Sequence, residues 1–239
     1  MKNVTRTYKA LLLGLSFGTL IIARHASAEE KLLISGAEGG GGSAYNYYVY
    51  TGLVAPILGN NLGNGFVQRY WVDVLGYKYE ANTQIDANAV GLEAALGYQK
   101  AFSRGWGALY LGGRYANTWL SPYDPGNRNG GGHVWLKVQA EGETDLSQTW
   151  KVNGIASYIF SVSDYWVRGR LLYRLNNGLY TGPEAITQGD PSYKAWQFGW
   201  VLNGFEPFPK AKLGIKAGVR ITEKVGPDGY VGIELTKLF

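Results

Sequence analysis

Hydrophobic and polar residues alternate along most of the chain, most regularly from Gly132 to Leu146. Every second residue from Val134 to Ala140 is apolar, whereas the intervening positions from His133 to Glu143 carry polar, charged or aromatic side chains. Successive side chains of a β-strand point to opposite faces. The segment is therefore predicted to be a strand with one apolar and one polar face.

Three further segments, residues 88–101, 150–163 and 165–177, show the same period of two. They are longer than the strands of about 5 or 6 residues that are usual in soluble sheets. Their length suits a tilted bilayer crossing of about 9 to 11 residues. The second face carries Arg, Lys, Glu, Asn and Gly, which a membrane barrel points into a polar lumen but a soluble sandwich would bury in hydrocarbon. We therefore predict an all-β fold, an antiparallel transmembrane β-barrel.

Twelve strands are predicted, an even number as in single-chain bacterial barrels, and ten is the second choice because the first and ninth segments have the weakest pattern. The predicted strands are 31–38, 45–57, 65–80, 86–101, 106–120, 131–145, 149–163, 165–177, 179–186, 192–204, 211–222 and 229–239. With both chain ends in the periplasm, the odd-numbered connections face outward, including residues 39–42 and the long loop 121–131.

Residues 1–28 have the pattern of a secretory signal peptide. Three basic residues precede an apolar run at 10–23, and the small residues at 26–28 form a cleavage site. The alternative is an uncleaved N-terminal anchor, but the run is short for a helix that spans a bilayer. We expect the signal peptide to be removed and residues 29–239 to form one barrel domain in the bacterial outer membrane, in contact with its lipid.

Composition excludes several classes of site. The chain has no Cys, so disulfide scaffolds, zinc fingers, iron–sulfur clusters and thiol chemistry are excluded. Only one His follows the signal segment, so we expect no metal site and no cofactor. Four of the basic residues behind the net charge of +5 lie in the first 28 positions, which contain no Asp or Glu. The charge therefore gives no support for nucleic-acid binding.

The C-terminus ends on an aromatic residue, Phe239, after the alternating apolar residues Val231, Ile233 and Leu235. This pattern resembles the signal read by the barrel-assembly machinery, which we therefore expect as a partner. Lys237 departs from the pattern because it occupies a position where an apolar residue is expected.

The polar faces supply the candidates for a lumen or ligand site. Inward-facing positions are predicted at Arg69, Asp73, Glu93, Arg114, His133, Trp135, Lys137, Glu141, Glu143, Lys151, Trp166, Arg168, Arg170 and Arg174. They form either a salt-bridged plug or a charged passage. The row from Arg168 to Arg174 would favour anions or acidic sugars. Trp135 and Trp166 could stack on sugar rings, whereas Trp106, Trp119 and Trp150 could equally belong to the membrane-interface belt.

Two enzymatic interpretations are weaker. A lipid hydrolase would pair His133 with a serine, but Trp135 occupies the next position on the same face, and a serine from another strand, such as Ser121 or Ser157, would have to serve. Glu141 and Glu143 are spaced for acid–base work but are commoner as partners of Arg. We therefore expect no catalytic residues, and a lipid-modifying barrel enzyme is the minor alternative.

Short motifs across the chain carry a family resemblance. They lie, in order, at residues 50–52, 65–71, 77–79, 95–98, 121–124 and 182–184. The set resembles the bacterial cellulose biosynthesis protein family BcsS, small secreted proteins expected to be outer-membrane barrels. The resemblance implies a role beside cellulose synthesis or secretion, with polysaccharide and cellulose-synthesis components as partners. It supplies no catalytic residues.

These observations lead to three functional expectations. The first is an accessory barrel for cellulose or exopolysaccharide, assisting export or anchoring of the polymer. The second is a porin-like channel for small solutes or acidic oligosaccharides, and the third is the lipid-modifying enzyme. Cellulose is neutral and does not need the arginine row. Twelve strands lie between barrels of about eight, which side chains fill, and those of about sixteen, which hold channels.

Overall fold

The computed structural model describes residues 30–41, 46–57, 59–81, 83–223 and 226–239, and the predicted signal peptide lies outside them. Within these residues the chain forms twelve strands: β1 (Leu32–Gly41), β2 (Asn46–Pro56), β3 (Gly65–Glu80), β4 (Gln84–Phe102), β5 (Gly105–Ser121), β6 (Gly131–Asp145), β7 (Trp150–Ile159), β8 (Asp164–Arg174), β9 (Tyr180–Asp190), β10 (Tyr193–Phe205), β11 (Ala211–Thr222) and β12 (Gly226–Leu238). Helices able to span a membrane are absent from the described residues.

The strands form one closed antiparallel barrel in sequence order. The closing ladder joins β1 to β12, from Leu32 opposite Leu238 to Gly41 opposite Gly229. Closure pairs the backbone groups that an open sheet would leave at its edges. The predicted all-β antiparallel barrel of twelve strands is confirmed, and the second choice of ten strands is wrong.

Several predicted strand ends are corrected. Residues 39–41 extend β1, because Gly39 and Gly40 pair with both β2 and β12 and Gly41 pairs with β12, so these glycines belong to the wall rather than to a loop. Strand β9 continues to Asp190, four residues beyond its predicted end. Strand β7 stops at Ile159, because Ser161 and Ser163 have positive φ values of 62° and 54° in a tight turn.

The two ends of the barrel differ in their connections. The end with both chain termini, here called the terminal rim, also holds the connections after β2, β4, β6, β8 and β10. The opposite end, here called the far rim, holds the long connection between β5 and β6. The expectation that the terminal rim faces the periplasm stays a prediction.

The outer face of the wall is apolar. On β6, Val134 is 74% exposed, whereas inward Gln139 is 6% exposed, so the alternation of the sequence separates outside from inside. Leu96 on β4 and Val231 on β12 are each 65% exposed. An apolar band of this kind around a barrel is what a lipid-facing wall requires.

Glycines in the wall make room for aromatic side chains in the lumen. A β-carbon on Gly97 would collide with the ring of Tyr110, and one on Gly199 would collide with Tyr230. Both tyrosines are almost fully buried. A large ring can therefore lie flat against the inner wall wherever the facing residue has no side chain.

Candidate functional site

Charged side chains from β3 to β6 form a first cluster in the lumen, here called the Glu93 network. Glu93 accepts hydrogen bonds from Arg69 Nη1 and from Lys137 Nζ, both at 2.6 Å. Arg114 donates two hydrogen bonds to Asp73, at 2.6 and 2.9 Å. This bidentate geometry is the strong form of an arginine–carboxylate pair.

The Glu93 network continues towards the terminal rim through neutral groups. Arg69 Nη1 also donates to Gln139 Oε1 at 3.0 Å, and Gln139 Nε2 donates to Glu141 Oε2 at 2.9 Å. The Tyr110 hydroxyl donates to Glu141 Oε1 at 3.0 Å and accepts from Gln99 Nε2 at 2.9 Å. Glu141 is thereby held as an acceptor of two donors, not as one member of a carboxylate pair.

A second cluster, here called the Glu234 network, joins β8, β9, β11, β12 and β1. Arg170 donates to Glu234 at 2.7 and 2.8 Å and to Glu184 at 2.6 Å. Arg168 donates to the same Glu234 at 2.9 Å. Strands β8 and β12 are not neighbours in the sheet, so these hydrogen bonds cross the lumen.

Glu38 of β1 extends the Glu234 network around the wall. It pairs with Lys216 Nζ at 2.7 Å and with Arg220, and it accepts a hydrogen bond from Gln197 Nε2 at 3.1 Å. Lys216 also lies 3.7 Å from Glu234. Cations and carboxylates of this cluster therefore neutralise one another.

An aromatic stack lies beside these clusters. Tyr50 of β2 stacks on Trp71 of β3, with ring centroids 4.8 Å apart and an angle of 13°. The guanidinium of Arg69 lies 4.4 Å from the Trp71 ring, a cation–π contact. Tyr48 accepts a hydrogen bond from Trp71 Nε1 at 3.3 Å. The stack ties the Glu93 network to the wall at β2.

The burial of the charged groups shows that side chains fill the lumen at the level of both networks. Asp73 and Glu184 are each 2% exposed, and Arg69 is 4% exposed. Water in an open passage would reach the charges that line it. Buried charges are tolerated where they are paired and hydrogen-bonded, as they are here.

Apolar residues fill the lumen near the terminal rim. Val54, Val67, Ala108 and Tyr110 form a buried cluster on the inner wall. Leu62, from the connection between β2 and β3, packs against it. The backbone N–H of Gly63 in the same connection donates to Gln99 Oε1 at 2.7 Å. This connection therefore folds inward and blocks the terminal end.

The loop between β5 and β6 is fastened at the far rim. The Tyr79 hydroxyl donates to Asp124 Oδ2 at 2.7 Å and accepts from Asn127 Nδ2 at 2.9 Å. Asp124 also accepts from the backbone N–H of Gly126, and Asn127 from that of Asn129, both at 2.9 Å. The loop has its own internal hydrogen bonds and is held to β3 through the Tyr79 hydroxyl.

Two aromatic groups face inward near the far rim. His133 and Trp135 stack on β6 with centroids 5.3 Å apart and an angle of 20°. His133 Nε2 lies 2.9 Å from the Gly130 carbonyl oxygen. On β8, the guanidinium of Arg168 lies 5.7 Å from the Trp166 ring. All three rings are half-buried.

The structure separates the predicted arginine row. Arg168 and Arg170 belong to the Glu234 network, but Arg174 is exposed at the terminal rim. Lys151 pairs with Glu143 at 2.7 Å beside the Tyr180 ring, and this pair stands apart from both networks. An uncompensated row of positive charge, the basis of the anion-passage hypothesis, is therefore absent among these described residues.

The contacts of the candidate catalytic residues do not match either enzymatic interpretation. The hydrogen bond described for His133 goes to a backbone carbonyl, and its ring contact is with Trp135 rather than with a serine. Glu141 and Glu143 are bonded to different partners. No group of His, Cys, Asp or Glu in the described part of the chain could hold a metal ion.

Two of the three tryptophans considered for the interface belt lie on the outer face of the barrel. Trp119 is 54% exposed on the outer face, and Trp150 contacts the Tyr173 ring there. Trp106 instead shares its register with Glu143 and packs against the apolar cluster in the lumen. Trp106 lies near the terminal rim, where small neighbouring residues on the inner wall leave space for its ring in the lumen.

Several members of the networks were missed from the sequence. They are Glu38, Gln99, Tyr110, Gln139, Glu184, Gln197, Lys216, Arg220 and Glu234. Alternation could have placed Glu38 and Glu184 inward, but they lie on the two strands with the weakest pattern. Pro183 has no β8 partner in the ladder, since proline lacks the N–H group, and Glu184 pairs with Arg170 directly after this gap.

Solved structures of outer-membrane barrels resemble the fold. The transport unit of the autotransporter AIDA-I from Escherichia coli aligns with a TM-score of 0.54 and 8% identity, covering 96% of each chain. The translocator domain of the autotransporter NalP from Neisseria meningitidis aligns with a TM-score of 0.54 and 10% identity, covering 98% of this chain and 95% of that one. At such identities the likeness concerns the fold alone.

The sequence comparison is more specific. No curated protein sequence matches the chain. Residues 39–239, which include the last three residues of β1 and every later strand, match the family described as "Cellulose biosynthesis protein BcsS". The match covers the Glu93 network, the Glu234 network apart from Glu38, and the far rim. This twelve-stranded barrel with a filled lumen therefore belongs to the BcsS family of cellulose biosynthesis proteins.

Proposed function

We propose that the protein is an outer-membrane accessory barrel of cellulose biosynthesis that anchors the polymer or its export machinery at the membrane, and that it is not a passage for the chain. The filled lumen carries this proposal. Glu93 and Glu234 each bind two cations there, and Arg69, Asp73, Arg170 and Glu184 are buried. A glucan chain could pass through the lumen only by displacing these ion pairs.

The location in the outer membrane is part of the proposal. An apolar outer face, exposed residues such as Leu96 and Val231, and the closed sheet support a bilayer environment. A signal peptide at residues 1–28 would export the chain, and assembly would use the C-terminal Phe239. The far rim would then face outward, where secreted polymer is found.

Charge pairing argues against an anion-selective channel. Arg168 and Arg170 share Glu234, and Arg170 also binds Glu184, so the positive charge of the row is compensated locally. Selectivity in pores comes from uncompensated charge at a constriction. The lumen offers paired charge instead.

The test compares a deletion strain with the same strain carrying the intact gene. We expect total cellulose to change little and the cell-attached fraction to fall when the protein is absent. An unchanged amount and an unchanged attachment would overturn the proposal. The purified barrel in a planar bilayer should show no steady conductance, and steady open steps would favour the channel function instead.

A further inference from the structure

We propose that the inward aromatic residues at the far rim, His133, Trp135 and Trp166, form a binding site for a neutral β-linked glucan chain. This inference rests on the proposed function and names the ligand that the barrel would hold. The three residues lie within the first few positions of β6 and β8 at the far rim. An incoming chain from that side would meet them before it met the buried ion pairs.

These rings are more accessible than two other inward aromatics, Tyr110 and Tyr230. Tyr110 and Tyr230 are 1% and 2% exposed and pack against the wall and the networks. Trp135 and Trp166 keep part of their surface accessible. Their accessible indole surface is not required to fill the lumen, and a ligand could cover it.

The β6 pair is held in place before any ligand arrives. His133 stacks on Trp135 at 5.3 Å, and its Nε2 is fixed at 2.9 Å from the Gly130 carbonyl oxygen. Gly130 ends a loop that Tyr79 fastens to β3. Side chains fixed in this way lose little freedom on binding, which favours affinity.

Polar groups surround the second ring. Trp166 lies in register with Ser157 of β7 and Gln188 of β9, so a hydroxyl and an amide flank it on the inner wall. Arg168 below it is held by Glu234 and Asn153. Ligand sites commonly combine aromatic walls with a few fixed polar groups.

The chemistry of the site selects the class of ligand. A β-linked glucopyranose presents flat faces of C–H groups that pack on aromatic rings, and hydroxyl groups at its edge that bond to Ser and Gln side chains. The cations nearest the site are compensated, since Arg114 binds Asp73 and Arg168 binds Glu234, and the carboxylate of Asp164 lies two residues before Trp166 on the same strand. A neutral chain needs no ionic contact at such a site, whereas an acidic chain finds no unpaired cation to bind.

The test is calorimetric titration of the purified full-length barrel in detergent with cellohexaose. Maltohexaose, which has the same composition but α-linkages, and an acidic uronate oligomer serve as comparison ligands. We expect binding of cellohexaose and much weaker binding of the other two. Equal binding of all three, or tighter binding of the acidic oligomer, would overturn the inference.

Substitutions of the two inward tryptophans test where the ligand binds. Trp135→Ala and Trp166→Ala should each weaken cellohexaose binding by about tenfold, as expected for loss of an aromatic anchor. Trp119→Ala removes an outward-facing indole that is 54% exposed and serves as the matched control. A gel-mobility shift on heating confirms that each variant is a folded barrel. The inference would be overturned if Trp119→Ala weakened binding as much as the two inward changes, or if neither inward change weakened it.

The outcome of this binding test can be distinguished from that of the deletion-strain test of the proposed function. Loss of cell-attached cellulose in the deletion strain, combined with no binding of cellohexaose, would reject the glucan site and leave the anchoring function standing on other contacts. Cellohexaose binding that depends on Trp135, combined with normal cellulose in the deletion strain, would support the site and reject the proposed function.

Discussion

Trp71 lies flat against Gly52 of the neighbouring strand, so closely that a β-carbon on Gly52 would overlap the indole ring. The indole also contacts the stacked Tyr50, the guanidinium of Arg69 and the Tyr48 hydroxyl. One missing side chain therefore sets the position of the aromatic stack, and through Arg69 it sets the position of the Glu93 network.

Replacing Gly52 by Ala should destabilise the barrel. The added methyl group must displace Trp71, which breaks the stack with Tyr50 and moves Arg69 away from its partners. Overpacking of this kind costs about 1–3 kcal/mol. The measurement is the thermal midpoint of unfolding in detergent, followed by the change in gel mobility on heating.

The control for this change is Gly169→Ala on β8. A β-carbon at Gly169 has no neighbouring atom within 4 Å, and the residue has no positive φ. Its midpoint should stay close to that of the natural protein. A Gly52→Ala midpoint equal to that of Gly169→Ala would contradict the role given to the close contact.

Glu234→Gln should be more damaging than loss of a surface carboxylate. Glu234 accepts three hydrogen bonds from Arg168 and Arg170, and its neutralisation removes the carboxylate partner of Arg168 and leaves Arg170 with Glu184 alone. Breaking a buried ion pair on one side typically costs about 3–5 kcal/mol. Glu30→Gln is the matched control, because its pair with Lys210 is exposed. Similar midpoints for the two variants would argue against a structural role of the network.

Alternation along the strands predicts which face a side chain occupies, but not which side chain it meets. Arg170 and Glu184 lie on neighbouring strands, whereas Arg170 and Glu234 meet across the lumen from positions 64 residues apart. That second contact depends on the tilt and stagger of all twelve strands, and a local pattern does not contain these quantities. The arginine row was therefore predicted without its counter-charges.

Residue types with strong turn preferences were the other source of error. Gly39, Gly40 and Gly41 look like a loop by composition, yet Gly39 and Gly40 pair with both β2 and β12, and Gly41 pairs with β12. Closure of the barrel overrides the local preference, because an unpaired segment would leave backbone groups without partners. The far-rim site was easier to predict, since Trp135 and Trp166 follow the period of two.

Phe239→Ala should lower the amount of folded barrel in the outer membrane. The last residue continues the sheet, with its N–H donating to the Lys31 carbonyl at 3.0 Å, and its ring is 57% exposed. The ammonium of Lys237 lies 4.7 Å from this ring and 5.1 Å from that of Phe208, so the unexpected lysine contacts two aromatic faces. The measurement is the heat-modifiable fraction in isolated outer membranes.

Phe208→Ala is the comparison for that experiment. Phe208 contacts the same Lys237 at the same rim but is not the C-terminal residue. Its removal should leave the assembled fraction largely unchanged. If both variants assemble equally well, the terminal aromatic is not read as an assembly signal.

Tyr79→Phe should release the loop between β5 and β6 at the far rim. The variant keeps the ring but loses the hydroxyl that bonds Asp124 and Asn127, so the loop loses these two hydrogen bonds to β3. Each such hydrogen bond contributes about 0.5–1.5 kcal/mol. The loop contains one exposed trypsin site, Arg128. We expect cleavage after this arginine to accelerate several-fold, in line with about 1–3 kcal/mol lost in total, while the barrel itself stays resistant.

Tyr123→Phe is the matched control, because Tyr123 lies in the same loop and is 79% exposed. Equal cleavage rates in the two variants would show that the Tyr79 hydroxyl does not hold the loop. Faster cleavage in Tyr79→Phe alone would show that the loop next to His133 can be opened without disturbing the wall.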